Sequence, residues 1–121
     1  MQKLLKNISD DRLKVYIVWL PMFPGDSREW AKARSGEFGD KRLSYFWDGD
    51  KLTGKAWQKV LGTKREAWDV YLLYGAASQW DREPATPDFW MHQLGGVTNA
   101  PRLDEETFEA RAKELLGKVK R

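Results

Sequence analysis

Residues 14–20 (KVYIVWL) decide the fold of this 121-residue chain. The stretch combines β-branched and aromatic side chains, and its apolar positions do not alternate strictly with polar ones. That pattern is typical of a strand buried on both faces, as in sheets that helices cover from each side. We therefore expect an α/β protein in which residues 14–20 form a buried strand.

Helices and strands alternate along the chain on both sides of this stretch. Upstream, residues 1–11 contain the last turns of a helix. Downstream, the pattern predicts a helix over residues 26–34 with Asp26 as its N-cap, a strand over 42–47, a helix over 51–61, a strand over 68–74 and a helix over 104–116. Residues 88–94 form either an edge strand or an irregular segment. The order β-α-β-α-β-(β)-α predicts a mixed sheet with helices on both sides.

Length and composition predict one globular domain over residues 1–121. The chain is 41% hydrophobic and 32% charged, with seven tryptophans and a formal charge of +3. The first half is the more basic, and residues 117–121 form a basic tail. Because no run of five like charges occurs, we interpret this as a solvated mixed-charge surface. Nucleic-acid binding through the basic first half is the less favoured alternative.

The chain contains no cysteine, which excludes disulfides, thiolate chemistry and cysteine-ligated metals within it. Its longest apolar run, residues 15–24, is far shorter than the roughly 20 residues that span a bilayer. Asp10 and Asp11 precede that run and two prolines interrupt its end, which is a poor pattern for a signal peptide. We expect a cytoplasmic protein without a membrane partner and without a cofactor.

The order of elements resembles the thioredoxin-like superfamily, in particular its peroxiredoxin and thiol–disulfide oxidoreductase branch. The resemblance covers residues 13–116 and rests on five pieces. Two of them are the helices over residues 26–34 and 104–116, which are similar to the family's next helix and its closing helix. The strand at 15–19 is similar to the one that follows the family's active-site helix. YFWDGD at 45–50 with Ala56-Trp57 resembles the family's D-x-x-G…A-Y step, and residues 68–74 followed by Asp81 resemble the next hairpin. The resemblance implies a three-layer thioredoxin-like mixed sheet, truncated or rearranged.

Both halves of the family's redox site lack a counterpart in this sequence. The cysteine-bearing strand would precede Met1, and Arg65-Glu66-Ala67 stand where the family has a cis-proline. The resemblance therefore implies a redox-inactive binding or assembly module without catalytic residues. The alternative is the C-terminal part of a thiol–disulfide oxidoreductase or peroxiredoxin-like protein whose cysteine-bearing segment is missing or supplied by another chain.

The missing strand has a structural consequence. In the family it lies between the strands that match residues 15–20 and 68–74, so its absence leaves two inner edges unpaired. Either these strands pair with each other, or a second chain fills the gap. We predict a homodimer through the edge of residues 15–20, because a twofold axis satisfies two such edges at once. A protein or peptide is the other partner that such an edge fits.

Two polar motifs have structural and functional interpretations. His92 is the single histidine and lies four residues after Asp88. It could have a metal-binding or acid–base role. The alternative is a structural histidine that hydrogen-bonds to its own loop. We favour the structural role, since a catalytic metal needs about three protein ligands.

Asp48 and Asp50 flank Gly49 without the spacing of a calcium loop. We interpret them as turn residues and predict no metal site.

The aromatic residues near two loops are the strongest functional candidates. Large apolar groups in a polar loop either fold down over the core or are presented to a ligand, and the sequence leaves the role of residues 84–100 open between these two. The candidate ligand or partner surface consists of Trp19, Met22, Phe23, Trp80, Phe89, Trp90 and His92.

Overall fold

A computed structural model describes residues 2–37 and 39–119, which contain four helices and four strands. The helices are α1 (Gln2–Asn7), α2 (Arg28–Gly36), α3 (Leu52–Leu61) and α4 (Glu105–Gly117). The strands are β1 (Val15–Trp19), β2 (Leu43–Trp47), β3 (Val70–Leu73) and β4 (Phe89–His92). These elements confirm the α/β class. Strand β4 shows that residues 88–94, which the sequence left undecided between an edge strand and an irregular segment, contain a strand. Lys120 and Arg121 of the predicted basic tail lie outside the described residues.

The chain divides into two compact units, Met1–Gly54 and Lys55–Arg121. The single domain over residues 1–121 stays a prediction. The four strands form two two-stranded sheets, β1 with β2 in the first unit and β3 with β4 in the second.

In the first unit, β1 and β2 are parallel neighbours joined by α2, in register from Val15 opposite Leu43 to Trp19 opposite Trp47. Parallel strands require a long crossover connection, which is usually a helix. The N-cap of α2 is Ser27, whose hydroxyl accepts from the N–H of Trp30 over 3.1 Å. The prediction that Asp26 caps this helix is wrong, because its carboxylate accepts the backbone N–H groups of the preceding loop.

Helix α2 packs on one face of the β1–β2 sheet. The indole N–H of Trp19 donates to the hydroxyl of Ser35 over 2.7 Å, and its ring meets Trp30 edge-on at 5.2 Å. Because side chains alternate along a strand, Tyr16 and Phe46 point to the other face. They stack there with ring centroids 6.4 Å apart and are 66% and 52% exposed. The prediction that residues 14–20 are buried on both faces is therefore wrong for the face that carries Tyr16.

Helix α1 is held to the first unit by Arg42, which is only 9% exposed. The Arg42 guanidinium donates to the carbonyl oxygens of Leu5 (2.6 Å), Ile8 and Asp10 (3.2 Å). These carbonyls lie at or just beyond the C-terminal end of the helix, where backbone acceptors lack helical partners. Leu5 and Ile8 are also buried, so a polar cap and an apolar contact fix the same short helix.

In the second unit, β3 and β4 are antiparallel, with Val70 opposite His92 and Leu73 opposite Phe89. Helix α4 packs on the face that carries Tyr71, whose ring meets Phe108 edge-on at 6.1 Å. Asp104 is the N-cap residue of α4 and Phe108 lies on its buried side. The predicted helix at 104–116 is confirmed within one residue at each end.

Candidate partner-binding surface

The outer edge of β1 offers backbone groups for pairing. The N–H of Val15 donates to the carbonyl of Arg42 over 3.1 Å, and the N–H of Asp48 donates to the carbonyl of Trp19 over 2.8 Å. These bonds direct every second residue of β1 toward β2, so Tyr16 and Val18 direct their N–H and C=O groups away from it. Among residues 2–37 and 39–119, no hydrogen-bond partner meets these four groups. We call them the β1 edge.

Strand β3 also has an open edge. The N–H of Gln93 donates to the carbonyl of Asp69 over 3.0 Å, so Val70 and Leu72 direct their backbone groups away from β4. The described part of the chain supplies no partner for them either. On the outer edge of β4, His92 is paired, because its N–H donates to the carbonyl of Pro101 over 3.2 Å and its carbonyl accepts from the N–H of Leu103 over 2.7 Å.

The side of the β1–β2 sheet that carries Tyr16 and Phe46, which we call the exposed aromatic face, lies directly beside the β1 edge. Val18 shares this face with Tyr16 and Phe46 and is half-buried. The five residues of β1 carry no charge, and Lys14 precedes them. The sequence analysis did not include Tyr16 or Phe46 among the candidates, because it interpreted residues 14–20 as buried on both faces. The signal that could have found them is the two-residue period of a strand, since polar Lys14 lies two residues before Tyr16 and polar Ser44 two residues before Phe46.

The candidates of the first unit have different environments. Trp19 is half-buried between β1 and α2 and uses its indole N–H on Ser35. The backbone N–H groups of Met22 and Phe23 both donate to Asp26, at 2.9 and 2.8 Å, which fixes the loop after β1. Within this loop the side chain of Phe23 is exposed and that of Met22 is half-buried.

Trp80 belongs to an aromatic cluster in the second unit. Its ring lies 5.4 Å from Trp57 and 5.3 Å from Tyr74, measured between centroids. The indole N–H of Trp57 donates to the Tyr74 hydroxyl over 2.9 Å, and that hydroxyl donates to the carbonyl of Ala85 over 2.7 Å. Burial raises the pKa of Tyr74, and the nearby charge of Asp88 adds to the effect. The loop thus folds onto α3 and β3 while Trp80 stays 53% exposed.

Phe89 and Trp90 lie on opposite faces of the β3–β4 sheet. Phe89 shares the face of Tyr71, where the guanidinium of Arg111 on α4 lies 4.7 Å from its ring centroid. Trp90 shares the other face with His92, their ring centroids 5.9 Å apart. The structure therefore brings Trp90 and His92 together and separates Phe89 from both.

His92 is an interior residue with both ring nitrogens engaged. It is 1% exposed. Its Nε2 lies 3.0 Å from the carbonyl of Ala100, and the N–H of Leu94 donates to its Nδ1 over 3.1 Å. A ring that donates at Nε2 and accepts at Nδ1 has no nitrogen left for a metal. Across the described residues, no group of three or more side chains could hold a metal ion.

Asp48 organises the turn between β2 and α3. Its carboxylate accepts from the backbone N–H groups of Leu52 (3.0 Å) and Thr53 (2.7 Å), at the N-terminal end of the helix. Carboxylates favour that position because helical N–H groups are unpaired there. The geometry gives Asp48 a role in starting the helix.

Comparisons with protein-family models, with curated proteins and with solved structures gave no match to this chain. Within residues 2–37 and 39–119, no helix is long and apolar enough to cross a membrane.

Proposed function

We propose that this chain is a redox-inactive, thioredoxin-like assembly module that forms a homodimer through the β1 edge. The observation that carries the proposal is the set of four unpaired backbone groups on Tyr16 and Val18. An apolar strand with an open edge is a template for pairing with another chain. Lys14 alone offers the charge that natural proteins use to block such an edge.

The exposed aromatic face supports the same proposal. Tyr16 and Phe46 are large apolar side chains that retain more than half of their accessible surface. Exposed apolar groups that lie together mark surfaces for interaction. A strand added at the β1 edge would place its own side chains beside Tyr16, where cross-strand pairs with aromatic residues each contribute about 0.2–1 kcal/mol.

The thioredoxin-like assignment draws support from the two sheets. The first has a helix between two parallel strands, and the second is an antiparallel hairpin followed by α4. The counterparts of β1 and β3 in the family both pair with its cysteine-bearing strand, and here each of these two strands has an open edge within its own sheet. The absence of cysteine makes the module redox-inactive on its own.

Two proline variants test the proposal, because proline removes a backbone N–H. Tyr16→Pro removes a donor of the β1 edge and leaves the bonds between β1 and β2 in place. Tyr45→Pro is the matched control, since the N–H of Tyr45 points to the outer edge of β2. We expect multi-angle light scattering to show a dimer for the wild type and Tyr45→Pro, and a folded monomer for Tyr16→Pro. A dimeric Tyr16→Pro would show that another surface joins the copies.

The alternative function is the C-terminal part of a thiol oxidoreductase whose cysteine-bearing strand comes from elsewhere. The specific observation in its favour is that β1 and β3, each within its own unit, have an open edge at which a further strand could pair. The test is the coding sequence upstream of the codon for Met1. An in-frame strand with Cys-x-x-Cys would favour this alternative, and its absence would leave the assembly module.

A further inference from the structure

We propose that two copies pair β1 with β1 in antiparallel orientation, about a twofold axis that passes beside Ile17. This inference rests on the proposed assembly through the β1 edge and specifies its register. The first sheet then continues across the interface as four strands, in the order β2, β1, β1 of the second copy and β2 of the second copy.

The hydrogen-bonding groups of the edge select this register. Only Tyr16 and Val18 direct backbone groups outward within β1. With Ile17 on the axis, Tyr16 faces Val18 of the second copy, and each such pair exchanges two N–H···O bonds. All eight outward groups of the two copies are then paired in four bonds. With the axis beside Tyr16, the two Tyr16 residues pair with each other, but Val18 lies opposite Lys14 of the second copy, outside β1. With the axis beside Val18, Tyr16 lies opposite Leu20, which is also outside β1.

The charges at the ends of β1 also fit this register. Lys14 lies opposite Leu20 of the second copy, so the two lysines are six positions apart along the paired strands. At about 3.4 Å per residue that separation is roughly 20 Å, well beyond the screening length of about 8 Å in physiological salt. The central residues of β1 carry no charge, and the pairing therefore desolvates no ion.

The exposed aromatic face becomes continuous in the dimer. Tyr16 and Val18 of the second copy are cross-strand neighbours on the face away from α2, and Phe46 stacks on Tyr16 from the other side. The edge of β3 is the weaker candidate, since all four of its residues are already half-buried. Of the β1 and β3 edges, the contact between β1 strands covers the more exposed one. The outer edge of β2, to which the N–H of Tyr45 points, is the remaining candidate, and Tyr45→Pro tests it.

Cysteine cross-linking tests the register cleanly, because the natural chain has no cysteine. Residues opposite each other on the axis have Cα atoms about 4.5 Å apart, within the range of about 4.4–6.8 Å that disulfides span. We expect Ile17→Cys to form a disulfide-linked dimer under mild oxidation. Ser44→Cys, an exposed position on β2, is the control and should stay unlinked.

A mixing experiment gives a second readout that does not depend on the fold of Ile17→Cys. Tyr16→Cys and Val18→Cys should each remain unlinked alone, because identical residues are then two positions out of register. Mixed and oxidised together, they should form a disulfide between the two variants, identified by its mass.

The outcomes separate the register from the proposed function. A wild-type dimer in which Tyr16→Cys links to itself overturns the register and leaves assembly through the β1 edge intact. A wild-type dimer in which Tyr71→Cys links while Ile17→Cys does not overturns the register and the β1 edge together, because Tyr71 lies on β3. A wild-type monomer overturns both. Linkage of Ile17→Cys, together with linkage of the other two variants only on mixing, supports the register.

Discussion

The guanidinium of Arg42 lies 2.8 Å from the carboxylate of Asp40 and also caps the C-terminal end of α1, where it donates to the carbonyl of Leu5. The backbone N–H of Arg42 also donates to Asp40, over 2.9 Å. Arg42 opens the segment that leads into β2, so this pair ties the first helix to the sheet that carries the β1 edge. The pair gives two predictions.

Replacing Arg42 should destabilise the protein. Arg42→Met removes the guanidinium from Asp40, which keeps only the backbone N–H of residue 42, and removes donors from three backbone carbonyls of the α1 end. We expect the free energy of unfolding to fall by about 3 kcal/mol in urea denaturation. Arg34→Met is the control, because Arg34 forms an exposed pair with Glu37 and should cost less than about 1 kcal/mol. Equal effects of the two changes would contradict the capping role.

Acid should weaken the Arg42–Asp40 pair in a defined pH range. Hydrogen bonds from the Arg42 side chain and backbone lower the pKa of Asp40 from 3.8 to about 2. The unfolded state therefore binds more protons than the native state between these values, and stability is lost as the pH falls through this range. We expect the stability difference between wild type and Asp40→Asn to be full at pH 6 and to shrink between pH 4 and pH 2.

A control for the loss of a carboxylate is Glu37→Gln in the exposed pair with Arg34. This change should cost less than about 1 kcal/mol at pH 6, because solvent screens that pair. A constant difference between wild type and Asp40→Asn from pH 6 to pH 2 would show that the carboxylate is not coupled to Arg42.

The loop between β3 and β4 should depend on the hydroxyl of Tyr74. Tyr74→Phe removes the acceptor of the Trp57 indole N–H and the donor to Ala85. The loss of about 1 kcal/mol should open the loop about fivefold more often, so trypsin should cleave faster after exposed Arg82. Tyr45→Phe, an exposed change on β2, should leave the rate unchanged. Unaltered cleavage of Tyr74→Phe would mean that other contacts hold the loop.

The purified chain should show no disulfide reductase or peroxidase activity. Both reactions use a thiolate as the nucleophile, and the sequence contains no cysteine. Insulin reduction and peroxide consumption should match those of a heat-inactivated sample. Turnover above that background would require chemistry that the resemblance to the thioredoxin-like superfamily does not imply.

The sequence predicted the elements well, because local chemistry determines them. Gly62 ends α3 at φ 71°, a conformation that glycine adopts without strain, and acidic residues begin α4 at Asp104. Strand β1 was predicted within one residue at each end. The N-cap of α2 was misplaced by one residue, since Asp26 and Ser27 are both good capping residues and only the loop geometry decides between them.

The candidate surface was harder to predict from the sequence. The aromatic character of β1 does not reveal that helix α2 covers Trp19 and leaves Tyr16 exposed, which depends on tertiary packing. The favoured interpretation of His92 as a structural residue that bonds its own loop agrees with its bonds to Ala100 and Leu94, whose identity depends on the path of the chain after β4. Phe89 and Trp90 are neighbours in sequence, and the alternation of a strand places them on opposite faces.

Native mass spectrometry of the wild-type chain at micromolar concentration tests the central claim most directly. Assembly through the β1 edge predicts a species of twice the 14.1 kDa chain mass, which should dissociate on dilution and be lost in Tyr16→Pro. A single species with the mass of one chain, at every concentration from the nanomolar to the high micromolar range, would contradict the account.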